Sequence, residues 1–263
     1  MKVVWGIIKE LRLLFRMVIR DLRSKYVGSL GGIFWTVLNP LLLLLVFTFV
    51  FSIVFRAKFG SETGIGISAL YILTGLIPWL GFQEGVARSS GYLIDNRNLI
   101  SRVKFPVEVL PLVPVLSGFL GQLIGFLVII FWAGFKGKLF ISGLCFLPLW
   151  MIFQVSFTLG LSYFFSVLGV WVRDLIQLLP VLLLVWMYGT PIFYPENLVP
   201  ESFQFMISLN PFAQLVIGYR ELILEGRPPE LGNCLMVSGW VLVSLGIGSA
   251  VFYDLRKSLS DRV

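Results

Sequence analysis

The chain has 263 residues, 57% of them apolar, 15% aromatic and only 13% charged, with a mean hydropathy of +0.91 and a formal net charge of +7. Soluble domains carry roughly 25% charged residues, so this composition excludes a water-soluble globular protein and indicates an integral membrane protein. With no histidine, and two cysteines set singly in apolar runs, a metal site and a disulfide framework are not expected; Cys145 and Cys234 read as small buried apolar side chains.

The first 30 residues carry Lys2, Lys9, Arg12, Arg16, Arg20, Arg23 and Lys25 spread throughout. A signal peptide has a basic lead followed by an apolar core of about 7–15 residues and a cleavage site, so this segment is expected to be retained. Lys9, Arg12, Arg16, Arg20 and Arg23 form one stripe on a helix, and Ile8, Leu11, Phe15, Val18 and Leu22 repeat with the same period on another face. Two readings fit residues 1–28: an amphipathic helix in the headgroup plane, or a topology anchor. Gly28, Gly31 and Gly32 supply a flexible corner before the first span.

Crossing about 30 Å of hydrocarbon takes roughly 20 apolar helical residues. Charge-free intervals of that order are 26–55, 63–83, 109–135, 139–172, 175–195, 202–219 and 231–253. Asn210-Pro211 interrupts 202–219, and proline removes a donor while disfavouring helix at the residue before it. That interval is expected as two half-length segments that dip in and return, or lie at the interface. Six transmembrane helices remain, at 31–55, 67–92, 109–133, 141–168, 175–193 and 231–253, within one transmembrane domain of residues 1–263. Six spans place both termini on one side, together with 15 of the 21 Lys and Arg residues. By the positive-inside rule that side is cytoplasmic.

The connection at 94–106 reads as a short cytoplasmic helix. Asp95 is its expected N-cap, Pro106 ends it, and Leu99, Ile100 and Val103 repeat at helical spacing. The preferred reading offers this stripe to a soluble partner; the alternative packs it on the chain's own membrane domain. Arg173-Asp174 reads as a membrane-edge stop. On the other side, residues 194–229 and the preceding Pro191 form a region broken by Pro195, Pro200 and Pro211 and rich in aromatics. Broken helices at membrane depth persist only where protein or a water-filled cavity covers them. This is a candidate exit gate, with Pro191, Tyr194, Pro195, Asn210, Pro211 and Tyr219 as its residues.

No titratable residue lies at the centre of any expected span; Glu84 and Arg88, four apart near a span end, can pair with each other. Ion-coupled carriers use such central groups, and no G-x-x-x-x-G-K-[ST] phosphate loop is present. Any energy for transport is therefore expected from another chain. Aromatics are dense, and a subset such as Trp35, Phe51, Trp186 and Tyr188 would suit a pore wall that stacks on sugar rings.

Four stretches in order, "RDLRSKYVGSLGGIFWTVLNPLL", "NLISRVKFPVEVLPL", "VRDLIQLLP" leading to "GTPIFYP", and "LNPFAQLVIGYR", resemble the membrane subunits of type-2 ABC exporters for cell-surface polysaccharides, the O-antigen, capsule and teichoic-acid permeases. One departure is Gly189-Thr190 before Pro191, where many relatives carry Ser before that proline. The resemblance implies an all-α integral membrane protein of the type-2 ABC exporter fold, with an N-terminal interface helix and re-entrant segments between the fifth and sixth spans. It implies a non-catalytic, inner-membrane subunit that dimerises with a second copy and binds two cytoplasmic ATPase subunits. ATP and Mg would bind those partners, with no cofactor in this chain and no nucleic-acid partner. The cargo would be polysaccharide on undecaprenyl diphosphate, as in lipopolysaccharide biosynthesis. Asp95, Arg97, Asn98, Leu99, Ile100, Arg102, Val103 and Lys104 would form the coupling helix seated on the ATPase. Arg20, Arg23, Lys25 and Tyr26 would meet the lipid diphosphate or the interface.

A drug, antibiotic or lipid exporter of the same fold is the alternative within that class. A membrane enzyme for lipid-linked sugars would need Asp, Glu or His clusters at the membrane boundary, and the sequence has none.

Overall fold

The computed structural model describes residues 10–25, 28–29, 31–54, 66–102, 106–137 and 140–256, and the regular structure among them is helical. Helix α1 spans Leu11–Lys25. A 3-10 turn, Gly32–Phe34, leads into α2, Trp35–Phe47, which winds on as a π-helical stretch through Thr48–Val54. Then come α3, Ile67–Asp95, α4, Arg97–Arg102, and, after a 3-10 turn at Val107–Val109, α5, Leu112–Phe135. The chain continues through α6, Ile141–Trp171, and α7, Leu175–Tyr188. Last are α8, Glu201–Leu209, α9, Pro211–Arg220 with a π-helical continuation Glu221–Glu225, and α10, Leu231–Leu255.

Helix α3 is the axis of the bundle and packs against α2, α5, α6, α7 and α9. Because neighbours surround it, residues from Ser68 to Leu93 are buried on both of its faces. The helices approach closely where glycines face one another. A Cβ at Gly248 of α10 would collide with the Gly160 carbonyl of α6, and one at Gly118 of α5 would lie 2.7 Å from the Gly81 carbonyl oxygen of α3. Lipid offers apolar side chains no reason to leave it, so small residues that let backbones meet are what hold such helices together.

Two apolar cores run along the bundle. The larger gathers Trp79, Phe82, Phe126, Phe157, Phe212 and Tyr219. The smaller seats Leu14, Met17 and Val18 of α1 against Tyr92, Val109, Tyr163 and Phe252. The packed face of α1 is thus Leu14-Met17-Val18-Asp21, whereas Leu11 and Phe15 of the expected apolar face are 54% and 66% exposed. Val18 is shared by the two faces, and Asp21 turns inward with the partners it finds.

Among the described residues, four helical stretches are long and apolar enough to cross a membrane: Trp35–Val54, Val107–Phe135, Ile141–Trp171 and Leu231–Leu255. Helix α7 is apolar but has 14 residues. Helix α3 has 29 residues and carries Glu84, Arg88 and Asp95. Cys145 corrects the expectation of burial: it is exposed, and Cys234 is half-buried. Both lie on α6 and α10, helices with large apolar side chains on their outer surfaces, so an apolar run does not mark the inside here.

Candidate functional site

At one end of the bundle, α1 is joined to α3 and α5 by charge. Asp21 is buried among Arg88, Ser117 and Tyr92. Arg88 Nη2 and Nη1 donate to Asp21 Oδ1 and Oδ2 at 2.7 and 3.0 Å, Ser117 Oγ donates to Oδ2 at 2.7 Å, and the Tyr92 hydroxyl to Oδ1 at 3.3 Å. Arg88 also donates to Glu84 at 3.0 Å, the pairing expected from their spacing, and Lys25 closes an ion pair with Glu84. Burial pushes the Asp21 carboxyl up, but its bonds from Arg88 and Ser117, with the charges of Arg88 and Lys25, hold it below the ordinary 3.8. A second ion pair at this end joins Arg256, at the end of α10, to Glu108 before α5.

Of the expected interface residues, Lys25 is committed to Glu84. Arg20 and Arg23 are exposed, and with Arg16 and Ser24 they line a recess of about 340 Å³ along α1. Tyr26 lies outside the described residues, as do Val103, Lys104 and the Arg102 side chain.

Within the expected coupling segment Arg97–Arg102 is helical, with one correction upstream. Asp95 is the last residue of α3 rather than an N-cap; Asn96 makes the turn, its Nδ2 donating to the Tyr92 carbonyl at 2.9 Å, and α4 begins at Arg97. The helix thus reaches this point from behind, as the end of a long helix, and leaves no free turn for Asp95 to cap. Leu99 and Ile100 are half-buried against the smaller core, while Asp95, Arg97 and Asn98 face outward. Part of the apolar stripe is therefore packed on the chain itself.

Toward the other end, the break between α8 and α9 falls at Asn210-Pro211. Asn210 caps α9, its Oδ1 accepting from Phe212 N and Ala213 N at 3.0 and 3.3 Å, with Pro211 at the first helical position. The same oxygen accepts from Trp186 Nε1 at 3.0 Å, and Asn210 Nδ2 donates to Thr190 Oγ1 at 3.0 Å. Thr190, the departure from Ser, therefore keeps the hydroxyl in place. Pro191 is buried beyond it, and Tyr194, beside half-buried Pro195, donates to the Tyr188 carbonyl at 3.1 Å. Phe212 packs at 4.7 Å from both Trp79 and Phe82, which lie midway along α3, so the α8–α9 turn reaches the middle of the bundle.

Tyr219 sits deeper than a surface gate. Its hydroxyl donates to Gln154 Oε1 at 2.5 Å, where Gln122 and Gln154 exchange reciprocal amide bonds of 2.8 Å. Gln154 Nε2 also reaches the Pro78 carbonyl at 2.9 Å, so α3, α5, α6 and α9 meet at one polar node. The expected pore aromatics are not brought together within the chain. Trp186 is T-stacked on Trp79 and Phe82, Phe51 is half-buried near Phe47, and Trp35 and Tyr188 are 39% and 61% exposed.

Sequence reasoning missed three sets of residues. Gln122 and Gln154 are each a lone amide in a charge-free run, a signal that was present and passed over. Asp21 looked like one more charge in a solvated lead. Arg220, one of the six Lys and Arg residues that charge counting leaves on the outer side, is 4% exposed, its guanidinium 3.7 Å from the Tyr71 ring centre and its Nη2 3.1 Å from the Ile192 carbonyl. The aromatic face replaces water around that cation.

Known proteins match this arrangement along its length. The family described as ABC-2 type transporter matches residues 12–224, a stretch running from α1 through α9. The chain belongs to the ABC-2 type transporter family. Among the relatives of this ABC-2 chain, the O-antigen export system permease protein RfbA of Klebsiella pneumoniae is 32% identical over 246 residues, covering 92% of this chain and 91% of the relative. RfbA of Myxococcus xanthus is 27% identical and covers 95% of each. The polysialic acid transport protein KpsM of Escherichia coli is 24% identical, covering 92% of this chain and 93% of its own. The resemblance to polysaccharide-export permeases read from the four sequence stretches therefore stands, and the ABC-2 family is one of transport permeases.

Proposed function

We propose that this chain is the channel-forming permease of an ATP-driven exporter that moves lipid-linked polysaccharide, a glycan on undecaprenyl diphosphate, across the cytoplasmic membrane. The observation that carries the reading is the match, over more than nine-tenths of both chains, to a permease named for O-antigen export.

The geometry supports the parts as follows. Helix α3 at 29 residues is about 43 Å long, ample to span, and Glu84 and Arg88 are tolerated because they pair with each other and with Lys25 and Asp21 of α1 rather than facing lipid. With α7 lengthened by the 189–193 turn, six spans place both termini in the cytoplasm. The α8–α9 pair re-enters to mid-depth and returns, forming the outer gate around Asn210, Pro211 and Tyr219. Asp95, Arg97 and Asn98 present the outward side of the coupling segment to an ATPase subunit, which would hold ATP and Mg. Arg16, Arg20 and Arg23 offer their recess to the lipid diphosphate. A second copy of the chain completes the channel, bringing exposed aromatics such as Trp35 and Tyr188 to its wall.

Deleting the gene in its host and restoring it on a plasmid tests the reading. Deletion should remove the surface polysaccharide and leave lipid-linked glycan accumulating inside, with both reversed by the plasmid copy. An unchanged surface glycan in the deletion strain would contradict it.

A further inference from the structure

Between α8, α9 and the start of α10 lies a recess of about 860 Å³. Its lining is unusually polar for a chain so apolar: the carboxylates of Glu196, Glu221 and Glu230 stand with Arg227, and Gln204, Gln214 and Asn233 add amides, with Phe205 beside them. Two acceptors there have no donor. The Glu221 side chain is 5% exposed, its Oε1 paired with Arg227 Nη2 at 2.8 Å while Oε2 has no hydrogen-bond partner. Asn233 gives its Nδ2 to the Gln214 carbonyl at 3.2 Å and leaves a buried Oδ1 equally unmatched. A buried acceptor without a donor destabilises the state that holds it, and a ligand that donates would relieve both.

A metal ion does not fit. Among the described residues no three acidic, cysteine or histidine side chains converge to hold one. Arg227 also stands among the carboxylates, bridging Glu225 at 2.6 Å and lying 3.6 Å from Glu230. What fits is a group rich in O–H donors and without negative charge, which the carboxylates of Glu196, Glu221 and Glu230 would repel, with an apolar face for Phe205, which is 61% exposed.

We infer that this recess is a glycan-binding site, in which hydroxyls of one or a few sugar units donate to Glu221 Oε2 and Asn233 Oδ1 while Phe205 covers the C–H face of a ring. The volume lies within the range of pockets that enclose small ligands. The inference rests on the proposed export function and deepens it: sugar units of the moving chain are held briefly at the outer gate, beside the α8–α9 turn, so the gate touches cargo rather than only parting around it.

Photocrosslinking in the host tests this with the complete chain and its native glycan. A benzophenone amino acid is placed at Phe205, at neighbouring Gln204, and, as a control, at Leu242, which is 72% exposed further along α10. On irradiation, positions 205 and 204 should yield permease bearing a glycan ladder, and position 242 should not. Glu221→Gln together with Asn233→Leu should lower the adduct yield about tenfold. Cells that export normally yet give no adduct at 205 or 204 overturn the site while leaving the exporter reading intact. A deletion strain that keeps its surface glycan overturns both.

Discussion

Arg88 of α3 grips Asp21 of α1 at two points, 2.7 and 3.0 Å, across 67 residues of sequence. This contact, completed by Ser117 of α5, fastens the amphipathic helix to the bundle. It ties α1 to α3, the helix against which α2, α5, α6, α7 and α9 pack.

Asp21→Ala should therefore destabilise the protein by about 2–4 kcal/mol, less than a fully enclosed pair because a third of the Arg88 side chain remains exposed. Arg88→Lys should cost less, since an ammonium keeps the charge but loses the two-point geometry. Thermal unfolding in detergent would show the order wild type, Arg88→Lys, Asp21→Ala; an Asp21→Ala variant as stable as wild type would mean the contact is incidental.

The same group gives a pH signature. The Asp21 carboxyl is held below 3.8 in the folded state, so its stabilisation is fully present above the unfolded value and is lost as pH falls through the lower folded one. Stability should be level from neutral pH down to about 4 and drop below it. Asp21→Asn should be less stable at neutral pH and lack this acid step; an identical acid profile would assign the step to other groups.

The Gln122–Gln154–Tyr219 node predicts a ranking. Tyr219→Phe leaves the reciprocal amide pair whole and should cost about 0.5–1 kcal/mol. Gln154→Leu removes the partner shared by the Gln122 amide, the Tyr219 hydroxyl and the Pro78 carbonyl, leaving the long 3.4 Å contact from Gln122 Nε2 to the Tyr219 oxygen, and should cost about 2–4 kcal/mol. Equal losses in unfolding experiments would show that the node does not act as a unit.

Coupling is addressed on the outward side of the Asp95–Arg102 segment. Because Ile100 partly packs on the chain's own smaller core, an Ile100→Asp variant would confound folding with partner binding. Asp95→Lys combined with Asn98→Trp changes the exposed side instead. The pair should reduce the amount of ATPase that co-purifies while leaving the unfolding temperature unchanged; full retention of an active ATPase would remove this surface from the interface.

Much of the architecture was legible because membrane helices announce themselves by uninterrupted apolar length, and Asn210-Pro211 announces a break by chemistry alone. The site was less legible, for physical reasons. Period three-to-four patterning marks faces by polarity, so it sets Leu11 and Phe15 on an apolar face without showing that the face carrying Asp21 is the one packed on the bundle. Buried charge depends on partners far along the chain: nothing near Asp21 points to Ser117, and nothing near Arg220 points to Tyr71. The lone amides Gln122 and Gln154 were visible, and their meaning was not, because a reciprocal pair exists only once α5 and α6 are placed side by side.

The most direct test of the export claim is transport itself. The permease and its ATPase are reconstituted into vesicles with the nucleotide sites facing out and lipid-linked glycan in the outer leaflet. Addition of ATP and Mg should make a growing share of the glycan resistant to externally added periodate, and the non-hydrolysable analogue should not. Protection that is the same with and without ATP, in vesicles whose ATPase is active, would contradict the account.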